Sequence, residues 1–258
     1  MKIFFAAALL GWSIFAQLAQ ADEVPKHLQL AREFVANTKQ ANNAYSNAGV
    51  FTRMPGELLG SEYVVFTDCS GFVADMFRRT GGEVLPQLKT LNGRSRPLTP
   101  DFHASIQAQE AFRKISKVED IQAGDVAVWQ YVNSAGHRLP GHILFIDSVP
   151  VKIEPRKPIV EGLDQYEFVL IDASQEAKSR DDTRYVSDPG LRAANQAKGK
   201  ERGTMASPNY KGVGRGHMRF YADREGNIKG AAFGFSPAKF HASGGDWDIV
   251  VGRPKADR

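Results

Sequence analysis

Three observations predict an α+β fold with a mainly antiparallel sheet. Apolar residues recur at helical spacing in the first part of the chain. Segments of apolar, β-branched and aromatic residues bounded by Gly, Pro and Asp dominate the second part, and the two kinds of segment do not alternate as they would around a parallel sheet. The chain has 258 residues, 42% hydrophobic and 24% charged, which is the make-up of a globular protein and not of a disordered or fibrous one.

Residues 1–21 read as a secretory signal peptide: Lys2 precedes an apolar run from Ile3 to Phe15, and small residues stand at Ala19 and Ala21. The run is shorter than the roughly 20 apolar residues that span a bilayer. The expectation is a periplasmic or secreted protein with no integral membrane segment after cleavage. Residues 22–60 are expected to form an N-terminal helix and loop. In the helix, Pro25 suits the first turn, and Leu28, Ala31, Phe34 and Val35 share one face as far as about Lys39. The loop runs from Asn42 to Gly60 and is rich in Asn, Gly and Pro.

Residues 61–254 form the expected main domain. Asp68 is a suitable N-cap for a helix to Arg79 with Phe72, Val73, Met76 and Phe77 as its apolar stripe. Gly81 to Pro100 is irregular, and Thr99, Pro100 and Asp101 open a second helix to about Ile115. Six strands follow at Asp125–Tyr131, His142–Val149, Tyr166–Ala173, His217–Ala222, Ile228–Phe235 and Asp248–Val251, with a hairpin around Asp223–Asn227. Between the third and fourth, a charged insertion at about 174–214 carries both signs and almost no apolar periodicity, so it reads as a lid or a disordered loop beside the site.

The excess of Lys and Arg over Asp and Glu gives a net charge of only +4, and no basic run or aromatic interleaving accompanies it, so no nucleic-acid partner is expected. Gly212-Val213-Gly214-Arg215-Gly216 follows no predicted strand and opens no helix, which argues against a phosphate loop. The His residues and the lone Cys have no zinc spacing, so neither a metal nor a cofactor is expected.

Cys69 is the only cysteine, and an exported chain with one cysteine carries a free thiol through an oxidising compartment. It follows the N-cap directly, where unpaired backbone N–H groups and the positive end of the helix dipole stabilise a thiolate and a developing oxyanion. A buried core thiol is the alternative, but a core position would fall on the stripe with Phe72 and Met76. Among the histidines, His27, His103 and His241 suit solvated or capping roles. His142 opens a strongly apolar strand after Gly141, His217 opens a later one as its main competitor, and His137 is weaker.

The order Asp68-Cys69-Ser70-Gly71-Phe72-Val73, then Gln122-Ala123-Gly124-Asp125-Val126, then Gly141-His142-Ile143 resembles the NlpC-type superfamily of papain-like cysteine peptidases, which cleave bacterial cell-wall peptides. The resemblance covers roughly Asp68 to Ala173. It implies helices packed on a mainly antiparallel six-stranded sheet or half-barrel, Cys69 as nucleophile, His142 as base, and a third polar residue on the neighbouring strand, which falls at Asp172. Asp172 stands where the family most often has His, and a strand-end carboxylate capping a turn is its plain alternative. Asp147 is disfavoured as third member because it lies five residues along His142's own strand and projects to the opposite face. The family's oxyanion-supporting Tyr has two candidates, Tyr45 and Tyr63, with Ser70 beside the nucleophile. The implied substrate is a peptidoglycan stem peptide, cut at a γ-D-glutamyl to diamino-acid bond, with Arg215, Arg219 or Arg253 meeting its carboxylates. An amidase or acyltransferase on the same fold and a catalytically retired cell-wall binding or scaffold protein remain open at this point. No appended wall-binding repeat accompanies the domain, which leaves localisation to an unidentified targeting protein.

Overall fold

The computed structural model describes residues 23–88, 93–186, 211–233 and 239–255. Residues 1–21, read above as a signal peptide, and the stretch 187–210 of the charged insertion lie outside them.

The fold is α+β, with a large antiparallel sheet and a helical layer. Helix α1 (Lys26–Asn37) starts after Pro25 and buries Leu28, Ala31 and Phe34. The expected loop that follows holds two short strands, β1 (Asn43–Tyr45) and β2 (Phe51–Arg53), which flank β3 (Val64–Thr67) in a three-stranded sheet. Their three-residue length is too short to leave an alternating pattern in the sequence. Helix α2 (Cys69–Thr80) follows β3 directly, and Asp68 caps it by accepting from the Gly71 N–H at 2.7 Å. A single turn, α3 (Val84–Gln87), interrupts the irregular stretch.

The second long helix is shorter than its sequence suggests. Helix α4 (Thr99–Gln107) ends where Gln109 takes a positive φ of 52°, and Phe112–Ile115 is strand β4, not a helical continuation. Pairing of β4 with the C-terminal strand overrides the local helical pattern.

The remaining strands are β5 (Val126–Val132), β6 (Arg138–Ile146), β7 (Val151–Ile153), β8 (Asp164–Ser174), β9 (Gly212–Ala222), β10 (Ile228–Phe233), β11 (His241–Ala242) and β12 (Trp247–Pro254). They build a nine-stranded sheet in the order β11-β10-β9-β8-β6-β5-β12-β4, with β7 sharing an edge of β8 with β6. Six strands were expected. The additions are the short β4, β7 and β11, which are held by pairing with longer neighbours. The sheet curls on itself: His241 of β11 stacks on Trp247 of β12 at 3.7 Å, and Phe233 of β10 meets Trp129 of β5 at 6.1 Å, although these strands stand far apart in the order.

Alternation along β6 divides the interior in two. Ile143 and Phe145 pack with Phe34, Phe72 and Phe77 of the helical layer. Leu144 and Ile146 pack with Trp129, Phe168, Phe220 and Trp247 inside the curl. His142 falls in register opposite Trp129, and a break in register between Trp129 and Tyr131 lets β6 approach β5 closely. A Cβ at Gly141 would sit 1.7 Å from the Trp129 carbonyl oxygen, so only glycine fits before His142.

Gly141→Ala should lower stability by about 1–3 kcal/mol, the usual range for overpacking against fixed atoms. It should also displace His142. An unchanged denaturant midpoint would show that the two strands do not approach this closely.

Candidate active site

Cys69 is the first residue of α2 and is 4% exposed. Its N–H and that of Ser70 lie in the first turn, where no carbonyl one turn back is available to them. The Ser70 hydroxyl itself turns away, donating to Asp68 at 2.9 Å and accepting from Arg96 at 3.1 Å. Arg96 also neutralises Asp68, at 2.5 Å, so the cap's negative charge is compensated beside the thiol.

His142 comes to Cys69 from β6. One ring nitrogen, Nε2, lies 2.6 Å from Oδ2 of Asp172 on β8. That leaves Nδ1 for the sulfur, and each of the two groups acts on the ionisation of the other. Burial pushes the Cys69 thiol up, but the His142 charge, the His142 hydrogen bond and the N–H of Ile143 outweigh it, and the thiol is held below its ordinary range. The same balance acts on His142: burial lowers it, while the Cys69 charge and the Asp172 hydrogen bond raise it above an ordinary imidazole. Asp172 is 0% exposed. Burial would raise it, yet Arg184, Lys178 and His142 together hold it well below the usual carboxylate range. The three groups therefore favour a thiolate–imidazolium pair with an ionised carboxylate behind it.

Tyr45 completes the cluster. It pairs in parallel with Thr67, two residues before Cys69, and its phenol is coupled electrostatically to the Cys69 thiol. Burial and then the thiolate charge raise that phenol, so it remains a donor. The end of β1 is pinned by Asn43, whose amide donates to the Val213 carbonyl at 2.8 Å and accepts the Val213 N–H at 2.7 Å. Tyr63, the other candidate, is not brought to the site: its hydroxyl donates to Glu33 on α1 and its ring packs on Phe34.

Other sequence candidates lie elsewhere. His217 is half exposed and bonds Asp181 at 3.1 Å. His27 and His103 are buried, contrary to the solvated roles expected, and bond the carbonyls of Gly124 and Asp248. Asp147 is held by Arg32 and Arg215, at 2.5 Å each. Arg253 pairs with Asp125 at 2.8 Å, and Arg219 is buried among the carbonyls of Arg156 and Lys157. None of the three arginines proposed to meet substrate carboxylates is therefore free to do so by its present pairing. Two contacts went unread in the sequence: the Thr99 hydroxyl, 3.9 Å from the Cys69 sulfur at the start of α4, and Tyr131 on β5, whose phenol feels the Cys69 charge. Both come from segments distant in sequence and carry no local motif.

A cavity of about 390 Å³ lined by Pro25, His27, Phe77, Thr80 and Val84 lies at the C-terminal end of α2, and Cys69, His142, Asp172 and Tyr45 are not among its lining residues. Its lining residue Thr80 is the last residue of α2, whose first is Cys69, a separation of about 16 Å along the helix. Among the described residues, no three His, Cys, Asp or Glu side chains are grouped as metal ligands, and no helix is long and apolar enough to cross a membrane.

The chain is similar to an uncharacterized protein of Acanthamoeba polyphaga mimivirus, with 26% identity over 198 residues, covering 74% of this chain and 78% of the relative. No family model and no solved structure matches it.

The rate of Cys69 alkylation by iodoacetamide should persist well below pH 8.5, about the ordinary thiol value, and His142→Ala should abolish that low-pH limb by removing the cation. A thiol that reacts only above that value in the unaltered protein would mark Cys69 as a core residue. Asp172→Ala should cost about 3–5 kcal/mol of stability, since it strands buried cations; chemical denaturation reads this directly, and a loss under 1 kcal/mol would show that the cations find water.

Proposed function

We propose that this chain is an exported cysteine hydrolase that cleaves an amide bond in peptidoglycan stem peptides. The observation that carries the chemistry is His142 hydrogen-bonded to the buried Asp172 and coupled electrostatically to Cys69, which is set at a helix N-terminus with a phenol beside the sulfur. The substrate class rests on the sequence resemblance of the Cys69, Gly124-Asp125 and Gly141-His142 segments to NlpC-type peptidases. The antiparallel sheet with helices on one side is compatible with a papain-like arrangement of that type.

In this reading the Cys69 thiolate attacks the amide carbonyl carbon. The tetrahedral oxyanion is met by the Cys69 N–H and the Tyr45 hydroxyl. Imidazolium at His142 passes its Nδ1 proton to the leaving amine as the C–N bond breaks, leaving a thioester on Cys69. Neutral His142 then removes a proton from water as it attacks the thioester, and the carboxylic acid product departs with the thiolate restored. Asp172 keeps the ring in one orientation and balances its charge in both halves of the cycle.

The expected bond is γ-D-glutamyl to diamino acid. Digestion of purified peptidoglycan fragments under reducing conditions, followed by mass spectrometry, should give peptides with a new amino terminus and no new reducing sugar, and Cys69→Ala should give none. Release of whole stems from the glycan would make the protein an amidase. Intact fragments after prolonged incubation, with a reactive Cys69, would sink the assignment to stem peptides.

A further inference from the structure

Two cations are buried directly behind Asp172, both from the stretch expected to be a lid. Residues 175–186 run from β8 into a single helical turn, α5 (Thr183–Val186), and bury Lys178, Ser179, Asp182 and Arg184. This part of the charged insertion is packed against the sheet, and residues 212–214 belong to β9. The sequence misled here because charge of both signs reads as solvated surface, whereas the opposite charges pair with one another inside.

The Arg184 side chain is 0% exposed, and its Nη2 lies 2.8 Å from Oδ1 of Asp172 while Oδ2 of the same carboxylate takes the His142 ring. Asp182 aligns the guanidinium, accepting from Nε at 2.9 Å and from Nη2 at 2.8 Å, and the Gly212 carbonyl accepts from Nη1 at 3.2 Å. Lys178 lies 3.8 Å from Oδ2 of Asp172 and 4.6 Å above the Phe233 ring. Strand β9 is built to admit the cluster. Gly214 is the register partner of Asp172, and a Cβ on it would come within 2.3 Å of Arg184 Nε; a Cβ on Gly216 would come within 2.5 Å of Asp182. The glycines that do not make a phosphate loop thus clear space for a buried salt-bridge network.

We propose that Arg184 is a positioning residue for the Cys69–His142 pair, fixing the plane and the charge of Asp172 through one carboxylate oxygen so that the other holds the imidazole. The proposal rests on the reading of Cys69 as a nucleophile. Its alternative is a purely structural ion pair with Asp182, and the two differ in sign at His142. The charged groups facing Asp172 are His142 from β6 and Lys178 and Arg184 from 175–186, with Asp182 behind Arg184 and Glu176 near Lys178. His142 faces Cys69 and Asp172; Cys69 faces His142, Asp68 and the phenols of Tyr45 and Tyr131. Without Arg184 a buried Asp172 takes up a proton more readily, ceases to balance imidazolium, and lowers His142, which in turn raises the thiol. If Arg184 were only structural, Asp172 would stay ionised, and loss of a neighbouring cation would raise His142.

The test uses the full chain with Arg184→Met, Arg184→Lys and Gly214→Ala, reading Cys69 alkylation against pH and the His142 ring titration by NMR. Arg184→Met should slow alkylation near pH 6 about tenfold for each unit by which the thiol rises, and His142 should titrate lower. Arg184→Lys should restore most of the rate, and Gly214→Ala should act in the same direction as Arg184→Met by pushing the guanidinium aside. A wild-type profile in Arg184→Met, or His142 titrating higher, overturns the proposal. If Arg184→Met fails to fold, Gly214→Ala decides it by the same criterion. A thiol inert in the unaltered protein defeats the nucleophile reading separately, and the His142 titration still decides the role of Arg184.

Discussion

A carboxylate with no solvent exposure dominates the architecture. Isolated in an apolar interior, Asp172 would take up a proton; ionised, it requires compensating donors and cations within reach. His142 supplies one from β6, and Arg184 and Lys178 supply the others from the chain after β8. Each of these contacts sets a further condition. Arg184 needs Asp182 to share its charge, the cluster needs glycine on β9, and β9 must pair with β8 in one register along its full length to put Gly214 opposite Asp172. A one-residue slip of that pairing would exchange Gly214 for Val213 or Arg215 and fill the space the guanidinium occupies.

The same economy of placement governs the thiol. Helix α2 begins immediately after β3, so the pairing of β3 with β1 brings a phenol to the sulfur, while packing of Phe72 and Phe77 against Phe145 sets the helix on β6. His142 is on the strand that carries Phe145, three residues away, with Trp129 packed on it at 5.1 Å. Cys69 and His142 are thus both fixed by elements with large buried aromatic faces, which is what keeps two side chains in one relative geometry.

How much of this was legible in the sequence follows from the range of each interaction. The helix at Cys69 was plain, because its cap and stripe lie within a dozen residues. The apolar strands were plain as well, and their order placed Cys69, His142 and Asp172 as candidates through a motif resemblance. The long reach of β9, the short strands β1, β2 and β4, and the choice between Tyr45 and Tyr63 were not legible. Each depends on a partner far along the chain: Tyr45 is selected by Asn43 bonding Val213, and the strand at Phe112–Ile115 by pairing with β12. The buried network of Lys178, Asp182 and Arg184 was hidden for a related reason, since composition reports charge but not the distance between opposite charges.

The Asn43–Val213 link also orders events in time. The two residues are 170 positions apart, so the small sheet that carries Tyr45 cannot be locked to the rest until β9 has formed, and contacts of such separation form late because the intervening chain must first be brought together. The thiol and its helix belong to the amino-terminal half and can fold early. The Tyr45 phenol, the Asp172 carboxylate and its cations are all secured by the carboxy-terminal half. A nascent or partly folded chain therefore displays Cys69 before the imidazole, the carboxylate and the phenol are in place around it.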